Sequence, residues 1–168
     1  MYRSQADAVK DWLLAYRNNI AKIDDKLEEI RTLKARMTSI GAQEITDMPK
    51  GQGASKDRMT EYLIRLETME AEVNYEIAQQ DICKETIIHI SESLKRKEAR
   101  EIIRHRYLFG REWSDVLQTV YGKNPDYSSK LNTYKRKMFR THDSALKEIS
   151  KRWTPAGDKT REEKNENE

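Results

Sequence analysis

Proline (3), glycine (6) and phenylalanine (2) are scarce in this 168-residue chain, and Cys83 is its single cysteine. One thiol cannot form an intrachain disulfide, so packing alone must hold the fold, and a reducing compartment is expected. So few glycines and prolines leave little of the turn chemistry that a many-stranded sheet requires. No apolar run approaches the ~20 residues needed to cross a bilayer. The start, MYRSQADAVKDW, lacks the apolar stretch of a secretory signal. A cytoplasmic protein with no membrane partner is the expectation.

What is abundant is charge. Charged and hydrophobic residues each make up 36% of the chain, and the mean hydropathy is -0.97. That is too little apolar surface for a compact globule of this length, but enough for long helices that bury only a narrow seam. The charge is unevenly placed. Residues 1–94 hold 13 Lys and Arg against 17 Asp and Glu, whereas residues 95–153 hold 16 against 7, a net of +9. A basic block beside an acidic one is the footprint of a module that meets a polyanion, most often nucleic acid.

From Val9 the apolar residues Trp12, Leu13, Tyr16, Ile20, Ile23, Leu27, Ile30, Leu33, Met37 and Ile40 recur at heptad-like spacing. They predict a helix from about Ser4 to Ser39. Residues 41–56 contain Gly41, Pro49, Gly51 and Gly53 and are expected to be a mobile loop. The rhythm resumes with Met59, Leu63, Leu66, Met69, Val73, Ile77, Cys83, Ile87, Ile90 and Leu94, broken by Gln80. Two helices of similar length joined by one loop make an antiparallel hairpin over 1–94, coiled-coil-like, and any seam left uncovered drives oligomerisation, a dimer being favoured.

Three shorter helices are expected over 95–153. KRKEAREIIRHRYLFG places Ile102, Ile103, Tyr107 and Leu108 inward and stops at Gly110. Trp113–Tyr121 forms the next helix and Gly122 ends it. GKNPDYSSK connects, with Asp126 placed to cap the third helix. That last helix turns Leu131, Tyr134, Met138, Thr141, Ala145 and Ile149 to one face and lysines and arginines to the others. The module core is expected from Ile103, Tyr107, Trp113, Leu117, Tyr134, Met138 and Leu146, with Trp153 as its cap. The tail 154–168 is polar and expected to be disordered.

Three short helices with cations along the third make an all-α helix-turn-helix, whose third helix can enter the major groove of double-stranded DNA. Ser128, Ser129, Lys130, Asn132, Thr133, Lys135, Arg136, Lys137 and Arg140 are the candidates for base contact. Lys95, Arg96, Lys97, Arg104 and Arg111 are the candidates for phosphate contact, which fixes position rather than sequence. The set that faces bases depends on where the helix begins. A start near Tyr127 turns Ser128, Ser129 and Lys130 to the groove; a cap at Asn132 or Thr133 turns Lys135, Arg136 and Lys137 there, and the clean stripe from Tyr134 to Ala145 favours the second. His89, His105, His142 and Cys83 share no metal-ligand spacing, so no metal is expected. Glycine-rich phosphate loops and nucleophile elbows are absent, and the chain is expected to be neither an enzyme nor a cofactor binder.

RYLFGREWSDVLQTVYG resembles region 4 of bacterial sigma factors, in which an R-Y-x-x-G-x-x-W-x-x-(I/V) string precedes the recognition helix. With Tyr134, Arg136, Phe139, Arg140, His142, Ala145 and Leu146 in TYKRKMFRTHDSALKEI, behind a long charged hairpin, the chain resembles sigma-like phage and prophage regulators of the ArpU/RinA type. That resemblance is specific over 99–149 and architectural before it. It implies activation of late, packaging or morphogenesis genes in a bacterial host, with RNA polymerase as a possible partner. Two positions depart from the pattern: Glu112 stands where a Ser or Thr cap is common, and GKNPDYSSKLN is longer than the usual turn. Two other functions fit the residues, a phage terminase small subunit-like DNA-binding protein, which usually carries its DNA-binding part first, and a structural or adaptor coiled coil whose basic end meets an acidic protein.

Overall fold

The computed structural model describes residues 4–43 and 54–153, with side chains described over 4–39 and 58–153. It is all-helical, with no strand among the described residues. Helices α1 (Gln5–Gln43) and α2 (Ala54–Glu92) are long; α3 (Lys97–Ile103) continues into a π-helical turn (Arg104–Leu108), followed by α4 (Trp113–Tyr121) and α5 (Leu131–Arg152). Ser4 starts α1 with a capping box: its Oγ accepts the Asp7 N–H at 3.2 Å, and the Ser4 N–H donates to the Asp7 carboxylate at 3.3 Å. Both long helices reach into the segment expected to be loop. Gly41 does not stop α1, because one glycine costs a helix only about 1 kcal/mol. The rest of that loop and the tail 154–168 lie outside the described residues.

The described residues divide into two compact units, one built from the stretches up to Asn18 and from Ile82 onward, the other from Asn19–Asp81. The division therefore does not fall at the expected 94/95 boundary but within both long helices. In the Asn19–Asp81 unit, Ile23, Ile30 and Val73 are buried with Leu27, Leu66 and Met69 against them. Lys26 bonds Glu76 at 2.6 Å and Lys34 bonds Glu70 at 2.6 Å. As one number of the pair rises the other falls, so the two helices run antiparallel, as expected. Gln80 sits in the seam with its Oε1 buried and unpartnered.

In the other unit two apolar clusters lie side by side. Val9, Leu13 and Tyr16 of α1 join Ile87 and Ile90 of α2, Leu94 of the connection that follows, Ala99 and Ile103 of α3, Tyr107, and Ala145, Leu146 and Ile149 of α5. Ile102, Val116, Leu117, Tyr121 and Met138 form the second, with Trp113 and Tyr134 half-buried at its edge. Adjacent residues of α3, Ile102 and Ile103, thus feed different clusters. All seven residues expected in the module core are in or against these clusters, but three of them share their packing differently than a self-contained module would. Ile103, Tyr107 and Leu146 pack with residues of α1 and α2, whereas Trp113 stays within residues 95–153, with the Arg106 guanidinium 4.8 Å from its ring centre. Trp12 and Trp153 meet with ring centres 4.5 Å apart, closing the first cluster. Leu131, expected inward, is exposed because it is the first residue of α5, ahead of the turn that reaches the core.

The α3–α4 corner is fixed by backbone and charge together. The π-helical turn is followed, after Phe109, by Gly110, whose φ of 64° only glycine adopts cheaply, and the Arg111 N–H bonds back to the His105 carbonyl at 3.0 Å. Arg17 of α1 donates to the Gly110 carbonyl at 3.0 Å and to Glu112 at 2.5 Å, and Arg106 reaches the same carboxylate at 3.3 Å. Glu112 precedes α4 without capping it. A serine there could cap the helix but could not hold two arginines.

Leu13 is fully buried, so Leu13→Ala should lower unfolding stability by about 2–5 kcal/mol and loosen the region around α5, although the two are far apart in sequence. Chemical denaturation of the full chain checks the first part, and hydrogen exchange at Ala145–Ile149 the second. An unchanged midpoint would mean that residues 95–153 are held without α1.

Candidate nucleic-acid interface

Helix α5 buries Met138, Thr141, His142, Ala145, Leu146, Ile149 and Ser150. At about 100° per residue, Thr133, Arg136 and Arg140 then fall on the opposite, solvent side, with Asn132 on one flank and Lys137 on the other, while Lys135 falls in line with the buried stripe but is exposed near the start of the helix. The Lys137 flank faces the start of α3. There Arg96, Thr133, Arg136, Lys137, Arg140 and Thr141 line an open concavity of about 470 Å³. Four cationic side chains and two threonines line it, and much of the exposed lining is their aliphatic stems.

The start of α5 falls between the two expected positions. The helix begins at Leu131 with Lys130 as its N-cap, and no side chain caps it. Residues 122–130 are not slack: Asn124 donates to the Tyr121 carbonyl through Nδ2 at 2.8 Å, the Tyr127 N–H bonds Asn124 at 3.0 Å and the Lys130 N–H bonds Asp126 at 3.0 Å. Gly122 is required here, since a Cβ would run into the Gln118 carbonyl. Asp126 does not cap α5 as expected. Its carboxylate accepts the Tyr134 hydroxyl at 2.6 Å and the Lys130 ammonium at 2.8 Å. Those partners hold the Asp126 carboxyl below its ordinary range and push the Tyr134 phenol up.

The candidates for base contact therefore separate by what they already touch. Ser129 donates to the Asp126 carbonyl at 3.0 Å, and Lys130 is paired with Asp126. Ser128 is exposed on the connection. Lys137 donates to Glu98 at 2.7 Å and lies 5.1 Å from the centre of the Tyr121 ring. Lys135, Arg136 and Arg140 are exposed and make no ion pair among the described residues. Of the phosphate candidates only Arg96 lines the concavity, exposed and without an ion pair among the described residues. Lys95 is exposed, Lys97 makes a long 3.8 Å pair with Glu101, Arg104 is half-buried, and Arg111 donates to Thr119 at 3.0 Å. Glu98 and Tyr121, which restrain Lys137, and buried Thr141 were not among the sequence candidates. No local pattern links Glu98 to a lysine 39 positions away.

Behind the basic face, His142 is buried and its Nε2 lies 2.9 Å from the Tyr107 hydroxyl. With Nδ1–H donated to Asp143 at 3.3 Å, Nε2 accepts the phenolic proton. Burial pushes the Tyr107 phenol up to about 12 and holds the His142 imidazole below its ordinary range, Asp143 opposing only in part. Among the described residues no group of three or more metal-ligating side chains is gathered, and no helix is long and apolar enough to cross a membrane. No protein-family model, curated protein or solved structure matches the chain.

The sign of the histidine effect gives a pH dependence. The folded pKa of His142 is depressed from 6.5, and that of His105 shifts the same way through burial, Arg111 and Arg104. Below 6.5 the unfolded chain binds more protons than the folded one, so stability present above that pH is lost as pH falls toward the folded values. The melting temperature should decline from pH 6.5 downward before carboxylates titrate. His142→Gln should flatten that part of the profile; an equal slope in the variant would assign it elsewhere.

Proposed function

We propose that the protein is a phage- or prophage-encoded, sequence-specific DNA-binding transcription regulator, an activator of late genes acting in the cytoplasm of a bacterial host. In this reading α5 enters the major groove of double-stranded DNA, α4 braces it, and Arg136 and Arg140 reach bases or the flanking phosphates. Arg96, from the start of α3, meets phosphate on the Lys137 flank. The hairpin of α1 and α2 brings two copies together and offers a surface to RNA polymerase. The observation that carries the reading is the exposed row Thr133, Arg136, Arg140 joined by Arg96, charged, convergent and unneutralised within the described residues. The sigma-like string around Trp113 supports the assignment to transcription.

Selection of duplexes bound by the purified protein, repeated across salt concentrations, tests it. A sharp motif upstream of a late or packaging operon is expected. No enrichment, with binding that vanishes at physiological salt, would instead indicate an adaptor whose basic end meets an acidic protein.

Individual substitutions divide the roles. Arg136→Ala and Arg140→Ala should each cost about 1–3 kcal/mol on the selected site and less on random duplex if they read bases. Arg96→Ala should weaken all duplexes alike and reduce the salt slope by about one contact. Equal losses on both duplexes would move Arg136 or Arg140 to the phosphate set. Glu98→Gln releases Lys137 and should tighten binding to any duplex. Unchanged affinity would show that Lys137 already reaches DNA with Glu98 in place, or never does.

A further inference from the structure

Helix α2 is apolar on two opposite sides. One side is the seam against α1. On the other, Ile64, Thr68, Ala71, Tyr75, Ala78 and Ile82 succeed one another at alternating spacings of four and three, the heptad rhythm of a coiled-coil seam. All six are exposed, and the three large ones strongly so: Ile64 at 60%, Tyr75 at 68% and Ile82 at 63%. Six charged residues, Arg65, Glu67, Glu70, Glu72, Glu76 and Asp81, lie between Ile64 and Ile82, and none occupies the row. Charge returns where the rhythm would continue, at Glu61 and Glu85. A solvated helix face has no reason to exclude charge so regularly, since scattered single apolar residues are ordinary but a contiguous row is not.

We infer that this outer row of α2 pairs with the same row of a second copy, antiparallel, about a twofold axis level with Val73. The argument is self-complementarity. With the helices reversed about that point, Ile64 meets Ile82 of the other copy, Thr68 meets Ala78, and Ala71 meets Tyr75, so each large residue finds a small or matching one. A twofold contact requires a patch that fits itself in this way. Parallel in-register pairing would stack tyrosine on tyrosine and leave alanine opposite alanine, alternating crowding with gaps. Ala71 and Ala78, seven residues apart, also let the two helices approach closely.

At about 1.5 Å per residue the row is about 27 Å long and one helix wide. Such a strip removes on the order of 1,000 Å² in total, the lower bound for a specific interface, so the dimer is concentration-dependent rather than obligate. Glu67 and Glu72 flank the row of one copy and face Asp81 and Glu72 of the other. Screening therefore strengthens this contact, opposite in sign to the salt response of DNA binding. The inference rests on the oligomerisation part of the proposed function alone and stands whether or not the protein binds DNA.

Sedimentation of the full chain from ~1 to ~100 µM, at ~50 mM and ~500 mM salt, reads the association. A monomer–dimer equilibrium that tightens with salt is expected, with Tyr75→Glu weakening it by about tenfold or more at unchanged helical circular dichroism, since the site is exposed. A monomer at all concentrations, or a dimer indifferent to Tyr75→Glu, would overturn the inference. Orientation is read by oxidation in a Cys83→Ala background. Ile64→Cys mixed with Ile82→Cys should form the mixed disulfide, and Ile64→Cys alone none, because its two copies lie about 27 Å apart. Efficient cross-linking of Ile64→Cys to itself would overturn the antiparallel arrangement. Duplex binding measured on the same samples is a separate readout, so failure of the dimer and failure of the DNA reading are distinguishable.

Discussion

Burial of Leu13 and Ile87 against Ile103, Tyr107 and Leu146 is the constraint on which the basic helix depends. A helix of 22 residues such as α5, rich in lysine and arginine, has too little apolar surface to fix its own orientation. Its C-terminal half is held by the ends of α1 and α2, and its N-terminal half by α4 through Met138, Val116 and Leu117. α3 lies where the two clusters meet, Ile102 serving one and Ile103 the other. The first cluster thereby ties α1 to the C-terminal half of α5.

Charge completes what packing begins at the α3–α4 corner. Glu112 is largely exposed, and a single surface pair there would contribute little. Two arginines on one carboxylate, with Arg17 also satisfying the Gly110 carbonyl and Arg106 the Arg111 carbonyl, are a different arrangement. Each guanidinium satisfies a backbone group that the irregular π-helical turn and the glycine corner leave without a helical partner. Arg17 and Arg106 hold the Glu112 carboxyl below its ordinary range, so the corner keeps its charge well into mildly acidic solution. The first loosening on acidification then belongs to the buried histidines and not to this corner.

The fold was legible in the sequence wherever periodicity ran long. The heptad rhythm of α1 and α2, the bounds of α4 and the buried stripe of α5 could all be read, because burial of one face leaves a regular mark. The division of the chain was not legible. Val9, Leu13 and Tyr16 follow the same rhythm as Ile23 and Ile30, and nothing in that rhythm tells a residue packed on one helix from a residue packed on four. The start of α5 was missed for a local reason, since Lys130 is a poor cap by chemistry and a fully turned connection sets the helix entry in its place. Asp126 looked like a cap and is the acceptor for Tyr134 and Lys130. The outer row of α2 was also overlooked, because the inner seam already explained why the helix is amphipathic.

The net charge of residues 95–153 overstates what is available to a polyanion. Lys130 is held by Asp126, Lys137 by Glu98, Arg106 by Glu112 and the Trp113 ring, Arg111 by Thr119, and Arg100 by the Leu94 carbonyl. Those cations help to build the scaffold. Exposed pairs such as Lys137 with Glu98 are worth only about 0–1 kcal/mol, so a phosphate could displace the carboxylate, but only after that contact is lost. Arg96, Arg136 and Arg140 carry no such prior cost. Which arginines and lysines could meet a polyanion is thus decided less by how many there are than by which of them the fold leaves without an acid, and of these Arg136 and Arg140 share one side of α5.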